Sequence, residues 1–572
     1  MKMQLPTLPQ RTFLPQDLLI NSWQDLAPFF EDLKGRDIDH LESLTQWLKD
    51  KSEVEAVLEE NQAWRYIKMS IDTESEAKRK SFEFFVQEIE PKLAPFSNEF
   101  EQKFLNSPAL SKLDEKEFKI SIKKAKKNIE VYREKNIQLI SDLQTEAQQF
   151  GAISGKMQID VNGEEVTMPK AASFLKETNR AFRKEIFDKI AEQRLSNAEA
   201  LDNLFNSLIK KRHQLAINAE FKNYRDYMFA AMQRFDYTPQ DCFDFHDAVE
   251  NELVPLLNQF SARRKTDLGL EALKPYDLAV DSKGNSPLKP FEKAEDLISK
   301  TIGCFNNLDP YFGECIDVMN KMGHLDLESK KGKAPGGYNY PLYEIGVPFI
   351  FMNAVGTVRD LVTMVHEGGH AIHSFLSRDL EFTDNKSVTS EVAELASMSM
   401  ELMSMDQWQE FFSNPEDLKR AKLEHLEDVL STLPWIALID KFQHWIYENP
   451  EHSTAERHDK WLELSARFST TFVDYSGYEE FQKIAWQKQL HLFEVPFYYI
   501  EYGMAQLGAI AIYRNFKNDS TKAIGDYKKA LSLGYSQSIR EVYQAAGIEF
   551  NFTKSYINEL ATFIKKQISA IE

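Results

Sequence analysis

Cysteine is scarce in this sequence: Cys242, Cys304 and Cys315 are the three in 572 residues. An odd, sparse set without framework spacing excludes a disulfide scaffold and points to a reducing compartment, with the thiols buried. Long apolar runs are missing too, since no stretch approaches the roughly 20 apolar residues a membrane-spanning helix needs. The N-terminal "MKMQLPTLPQRTFLPQDL" has prolines and polar residues where a secretory signal would carry an apolar run. A cytoplasmic protein without a membrane partner is expected. Basic charge is outnumbered, 69 lysines and arginines against 89 acidic residues, for a net charge of −20. A phosphate backbone needs a basic stripe, and the densest basic run, "SIKKAKKNIEVYREK", is interleaved with acids as on a solvated helix face. No nucleic-acid partner is expected. Internal repeats are absent as well.

What the chain has in quantity is aromatic side chains: 40 phenylalanines and 21 tyrosines imply extensive buried or groove-lining aromatic surface. From residue 17 to about 150 the apolar spacing is helical almost throughout. The pattern breaks at "SGKMQIDVNGEEVTMPKAASFL", where Asn162-Gly163 between two short alternating runs predicts a hairpin with a type I′ turn. Helical spacing resumes from Pro169 to about Phe260. Then come two Pro/Gly-rich loops, "LKPYDLAVDSKGNSPLKPFEK" and "SKKGKAPGGYNYPLYEIG", and a short β-favouring run, "VPFIFMN". From Gly356 onward the pattern is helical again, with loops expected near "FTDNKS", "NPEHSTAERHD" and "KNDSTKAIGD". The class is mainly α with a small β-sheet in the middle.

One helical stretch, "TMVHEGGHAIHSF", carries two adjacent glycines, each costing roughly 1 kcal/mol relative to alanine in a helix interior. Thr357 and Asp360 have capping-box spacing, so the helix should begin there. At 100° per residue, Arg359, Thr363, His366, Glu367, His370, His373 and Ser374 form one polar stripe and apolar residues cover the rest. A helix so apolar is buried, and its stripe faces something internal. His366 and His370 are one turn apart with Glu367 on the adjoining edge: H-E-x-x-H, two imidazoles for one zinc ion and a carboxylate for proton transfer. A metzincin is excluded by Leu376, which stands where its third histidine would be. A third ligand must then be a carboxylate. "SEVAELASMSMELM" puts Glu391, Glu394, Ser397 and Glu401 on one face of an otherwise apolar helix, which is costly unless they are paired or coordinated. By spacing alone, Glu391 and Glu394 both remain.

"HEGGHAIH" followed by "EVAELASMSMELM" resembles the thimet oligopeptidase and oligoendopeptidase F family of zinc metallopeptidases. "PFIFMNAVGTVRDLVTMVHE" resembles that family's strand and turn ahead of the zinc helix, and "HLFEVPFYYIEYGMAQLGA" its tyrosine-rich segment in the oligoendopeptidase F version. The similarity is specific from about Lys330 to Ala509 and looser from about Arg194 to the C-terminus. The resemblance implies two helical lobes flanking a deep channel with a small sheet near the zinc helix, divided as an N-terminal lobe over residues 1–190 and a catalytic domain over 191–572. It implies one Zn2+ per chain, held by His366, His370 and Glu394, with Glu367 as general base. His491, Tyr499 and Tyr502 are the implied oxyanion donors and Tyr498 a substrate contact, although this sequence has one residue fewer between the histidine and the last tyrosine than thimet-type members. Gly336 and Gly337 belong to a candidate mobile wall. Phe351 and Asn353 lie on the strand expected to offer its edge to a peptide backbone. Gly369, on the border of the ligand stripe, would let a neighbouring backbone approach, and Gly368 would serve helix packing on the apolar back. His373 is expected to line the channel. The other histidines, His246, His425 and His444 among them, have no ligand spacing to one another and are expected in ordinary core or surface roles. The implied activity is endopeptidase action on short oligopeptides; a related helical zinc carboxypeptidase or dipeptidyl carboxypeptidase is the alternative.

Overall fold

Asn162 and Gly163 both adopt positive φ, 57° and 87°, and close a hairpin between β1 (Gln158–Val161) and β2 (Glu164–Thr167), paired antiparallel with Val161 opposite Glu164. Two residues at positive φ match the right-handed twist of the strands they join. The structure, a computed structural model, describes residues 3–330 and 332–572; Met1 and Lys2, at the head of the N-terminal stretch, and Lys331, in the second predicted loop, lie outside the described residues.

Helices make up most of the rest, as the apolar spacing predicts. The longest N-terminal one, Leu41–Ile71, is 31 residues. Buried apolar side chains gather in two large clusters, one drawing on residues between Leu14 and Ala125 together with Phe382, the other on residues between Ala147 and Ile568. Among the described residues no helix is long and apolar enough to cross a membrane, and all three cysteines are buried and free.

A second sheet lies ahead of the glycine-containing helix, with strand order β3 (Leu325–Glu328), β5 (Phe349–Ala354), β4 (Tyr338–Tyr340). β5 is parallel to β3 and antiparallel to β4, with Tyr338 opposite Phe351 and Tyr340 opposite Phe349. This corrects one expectation: the "VPFIFMN" strand is central, paired on both sides, and offers no free edge. The reason lies in its composition. A strand apolar on both faces is at home in the middle of a sheet, while edges are left to shorter and more polar strands. The edges of the sheet belong to β3 and β4, and the residues of β4 are all half-buried.

The N-terminal helix Leu41–Ile71 braces this sheet from below. Ala63 and Ile67 pack with Phe349 and Phe351, and Ser70 O accepts from Ala334 N at 2.8 Å while Gly332 O accepts from Thr73 N at 2.7 Å. Glu60 Oε2 accepts from the amides of Glu344 and Ile345 at 2.9 and 2.8 Å. Farther along the chain, "KNDSTKAIGD" is not a loop. It is a tight helix junction in which Asp519 caps the helix Ser520–Leu531 through the amide of Lys522 at 3.0 Å. "NPEHSTAERHD" likewise runs into a helix at Thr454, capped by Ser453. Cap residues mimic loop composition, so both breaks look longer in the sequence than they are.

Candidate metal and catalytic site

The glycine-containing helix runs over Val358–Ser377 and begins at the predicted cap. Asp360 Oδ2 accepts from Thr357 N at 2.8 Å and from Thr357 Oγ1 at 2.9 Å, and Thr357 Oγ1 accepts in return from Asp360 N at 3.3 Å. A second buried helix, Ser390–Ser404, lies against it. Contact is backbone to helix: a Cβ on Gly369 would sit 2.6 Å from Ser397 Cα and 2.7 Å from Ala396 O. A Cβ on Gly368 would meet the Phe305 ring at 2.7 Å on the other side. The two glycines therefore exchange helix propensity for close approach on two faces.

That approach brings three donors together. His366 Nε2 lies 3.2 Å, and His370 Nε2 3.6 Å, from Glu394 Oε2, and the three donor atoms fall within 4.8 Å of one another. A tetrahedral ion with bonds of about 2.0–2.1 Å spaces its ligands by roughly 3.3 Å. The set fits zinc in number, type and spacing. Glu391, the other carboxylate left by spacing, accepts from Tyr237 Oη at 2.7 Å, away from the histidines.

The surroundings orient the donors. Glu401 Oε1 is 2.6 Å from His366 Nδ1, which holds the proton on Nδ1 and leaves the Nε2 lone pair free. Glu394 accepts from Ser397 Oγ at 2.9 Å and, on its other oxygen, from Tyr498 Oη at 2.8 Å. Burial works to raise the Glu394 pKa, but the charges and hydrogen bonds of His370, His366 and Tyr498 outweigh it and hold the carboxyl at about 2. Glu367 is 5% exposed. Its pKa is pushed up to about 7, chiefly by burial, with His366 opposing.

His366, Glu367, His370 and Glu394 open into a cavity of about 310 Å³ that Tyr498, Tyr502 and His373 also line. Its opposite wall is β4 and the loop before it, with Gly337, Tyr338 and Asn339 facing in and Asn339 Nδ2 donating to Glu367 O at 3.4 Å. Burial, with the neighbouring His370, keeps His373 neutral, its pKa near 3.

The remaining predicted residues divide. Tyr502 Oη is 3.3 Å from His491 Nε2, whose Nδ1 is 2.7 Å from Gln489 Nε2, so His491 stands behind Tyr502. Tyr499 is turned aside and its hydroxyl accepts from Trp435 Nε1 at 3.1 Å. Phe351 is fully buried, stacked on Tyr338 with centroids 4.8 Å apart. Asn353 Nδ2 donates to Ala334 O and Gly336 O at 2.8 and 3.0 Å and so holds the loop rather than facing the cavity. Gly336 takes φ +100°, and a Cβ on Gly337 would lie 3.3 Å from Phe351 O. Sequence reasoning did not single out Tyr338, Asn339 or Tyr343; the polar–aromatic run "YNYPLY" was the available signal.

The chain is similar to known proteins in sequence and in fold. The sequence pattern of "Peptidase family M3" matches residues 173–562, and that of the "Peptidase M3 N-terminal domain" matches residues 20–132. An oligoendopeptidase F homolog of Borreliella burgdorferi is 26% identical over 414 residues, covering 71% of this chain and 68% of that protein. Oligopeptidase PepF of Bacillus subtilis is 25% identical over 401 residues, which is 68% of this chain and 57%, under two thirds, of the relative. Among solved structures, Pz peptidase A with an inhibitor superposes with a TM-score of 0.90 at 27% identity, covering 96% of this chain and 97% of that one.

Proposed function

The chain belongs to peptidase family M3, a family of metallopeptidases, and on that footing we propose that it is a zinc endopeptidase cleaving internal bonds of short oligopeptides. The observation that carries the reading is the convergence of His366 Nε2, His370 Nε2 and Glu394 Oε2 beside the buried Glu367 in one cavity. Those three residues would hold the ion. When bound, zinc supplies a Lewis acid for the scissile carbonyl and brings the pKa of a water near neutrality.

The chain's own groups do the rest. Glu367 takes the proton of the attacking water as the new C–O bond forms, and returns it to the amine as the C–N bond breaks. A carboxylate held near neutrality by burial suits both halves of that transfer. Tyr502 presents its hydroxyl to the cavity as a donor for the developing oxyanion, with His491 fixing its position. Tyr498 acts one step removed, by holding the Glu394 carboxylate. Substrate backbone would pair with the free edge of β4, so residues Tyr338–Tyr340 grip a peptide without reading its side chains. Phe351 and Asn353 support that edge from behind. Residues 1–190 and 191–572 remain the proposed lobes, and the small cavity between helix and sheet favours short, unfolded chains.

The test is Glu367→Gln assayed on an internally quenched peptide with both ends blocked, with zinc content measured in parallel. We expect zinc retained and turnover lowered by at least about 10²-fold. Wild-type turnover by the variant would sink the mechanism, and a blocked peptide left intact by the wild type would turn the reading to an exopeptidase.

A further inference from the structure

Away from the cavity, the helices Pro239–Glu252 and Pro415–Glu448 are packed together, and each carries two metal-type donors one turn apart. Cys242 and His246 lie on the first, Asp440 and His444 on the second, so each pair shares a helix face. All four are sealed from solvent, three at 0% exposure and His444 at 1%. His246 Nε2 is 2.8 Å and His444 Nε2 3.3 Å from Asp440 Oδ2. The Cys242 sulfur, an Asp440 oxygen and a His444 ring nitrogen lie within 4.8 Å of one another.

What marks this cluster is how much of it is left unpaired. Among the described residues, Asp440 Oδ1, His246 Nδ1 and both ring nitrogens of His444 have no hydrogen-bond partner. Fully buried polar atoms are nearly always paired, and a group that is not calls for an explanation. One cation would satisfy the carboxylate and one ring nitrogen of His444 together, with the Cys242 sulfur beside them. The donor set also selects among cations: a thiolate with an imidazole suits zinc-type transition ions, whereas calcium and magnesium take oxygen ligands.

We propose that Cys242, Asp440 and His444 form a second metal site, taking a divalent transition ion of the zinc type, with His246 holding the Asp440 carboxylate in place. It is structural, because complete burial leaves no open position for a substrate. Binding moves the Cys242 thiol proton to solvent and changes no oxidation state. The site clamps two helices directly under the tyrosine segment. The His444 ring packs on Phe497 at 5.5 Å between centroids, and the Phe497 amide donates to Gln443 Oε1 at 2.6 Å. Phe497, at φ +70°, immediately precedes Tyr498. The clamp therefore sets the point from which Tyr498 reaches Glu394.

The experiment counts metal in a chain that lacks the other donor set, so its outcome is independent of the peptidase reading. His366→Ala/His370→Ala protein, freed of loosely bound ions by dialysis and checked for folding by circular dichroism, is measured by plasma mass spectrometry beside the wild type. We expect one zinc per chain in the variant and two in the wild type. A folded variant without stoichiometric transition metal overturns the proposal. Cobalt(II) reconstitution of both proteins guards against loss of folding in any further variant. A thiolate-to-cobalt charge-transfer band is expected in each and should vanish on adding Cys242→Ser; cobalt uptake without that band in the wild type also overturns it.

Discussion

Glu401 Oε1 lies 2.6 Å from His366 Nδ1, and His425 Nε2 is 3.7 Å from the other carboxylate oxygen. A charged acceptor on the outer nitrogen raises the basicity of the inner one. Glu401→Gln should therefore weaken zinc binding by about 10–100-fold, read by competition with a chromophoric chelator, with activity restored by excess zinc. The tyrosines separate at the same scale. Tyr502 lines the cavity whereas the Tyr499 hydroxyl is spent on Trp435. Removing an oxyanion donor costs about 10²–10³ in kcat, so Tyr502→Phe should show a loss of that order at little changed KM. Tyr499→Phe should keep kcat within a few-fold and lower stability by only about 1 kcal/mol. Equal losses in steady-state kinetics would reverse their assignment.

At the scale of the element, the site depends on how closely Val358–Ser377 and Ser390–Ser404 can lie. Gly369 meets backbone atoms, Ser397 Cα at 2.6 Å and Ala396 O at 2.7 Å, which cannot rotate out of the way. Gly369→Ala has to push the helices apart. Denaturant unfolding should show a loss of about 1–3 kcal/mol, and zinc affinity should fall because Glu394 moves with its helix. Zinc affinity at the wild-type level would show that the helices tolerate a wider spacing. β5 makes the converse point. Its apolar composition draws cover on both faces and partners on both edges, and the edges of the sheet pass to β3 and the more polar β4.

Over the whole molecule, chain segments far apart in sequence are tied by buried charge. Asp277 is fully buried, and its carboxylate accepts from Arg180 Nη2 at 2.8 Å and Arg183 Nη2 at 2.9 Å. Burial alone would raise its pKa, but Arg180, the Lys274 amide and Arg183 outweigh it and leave it lowered. A carboxyl with a depressed folded-state pKa stabilises fully above its unfolded pKa of about 3.9, and loses that contribution as pH falls through the folded value. Asp277→Ala strands the buried Arg183 and should cost about 3–5 kcal/mol at neutral pH. The gap between wild type and variant should then narrow below about pH 4, as urea titrations across pH would show. A gap that stays constant into acid would mean the carboxylate charge contributes nothing.

The sequence by itself determined whatever one element can state alone. The capped helix at Thr357, the i, i+4 pair His366 and His370 with Glu367 between them, and the Asn162-Gly163 turn are all local, because helical and turn geometry fix the relative positions of residues a few places apart. Tertiary structure decided whatever needed two elements. It put Glu394 rather than Glu391 beside the imidazoles, Tyr502 rather than Tyr499 in the cavity, and β4 rather than β5 at the edge of the sheet. The same limit hid the buried cluster. Its histidines have no spacing to each other, since the donor pairs mix residue types and His246 meets Asp440 across 194 positions of sequence. Periodicity tells which face of a helix a side chain occupies; only packing tells what that face meets.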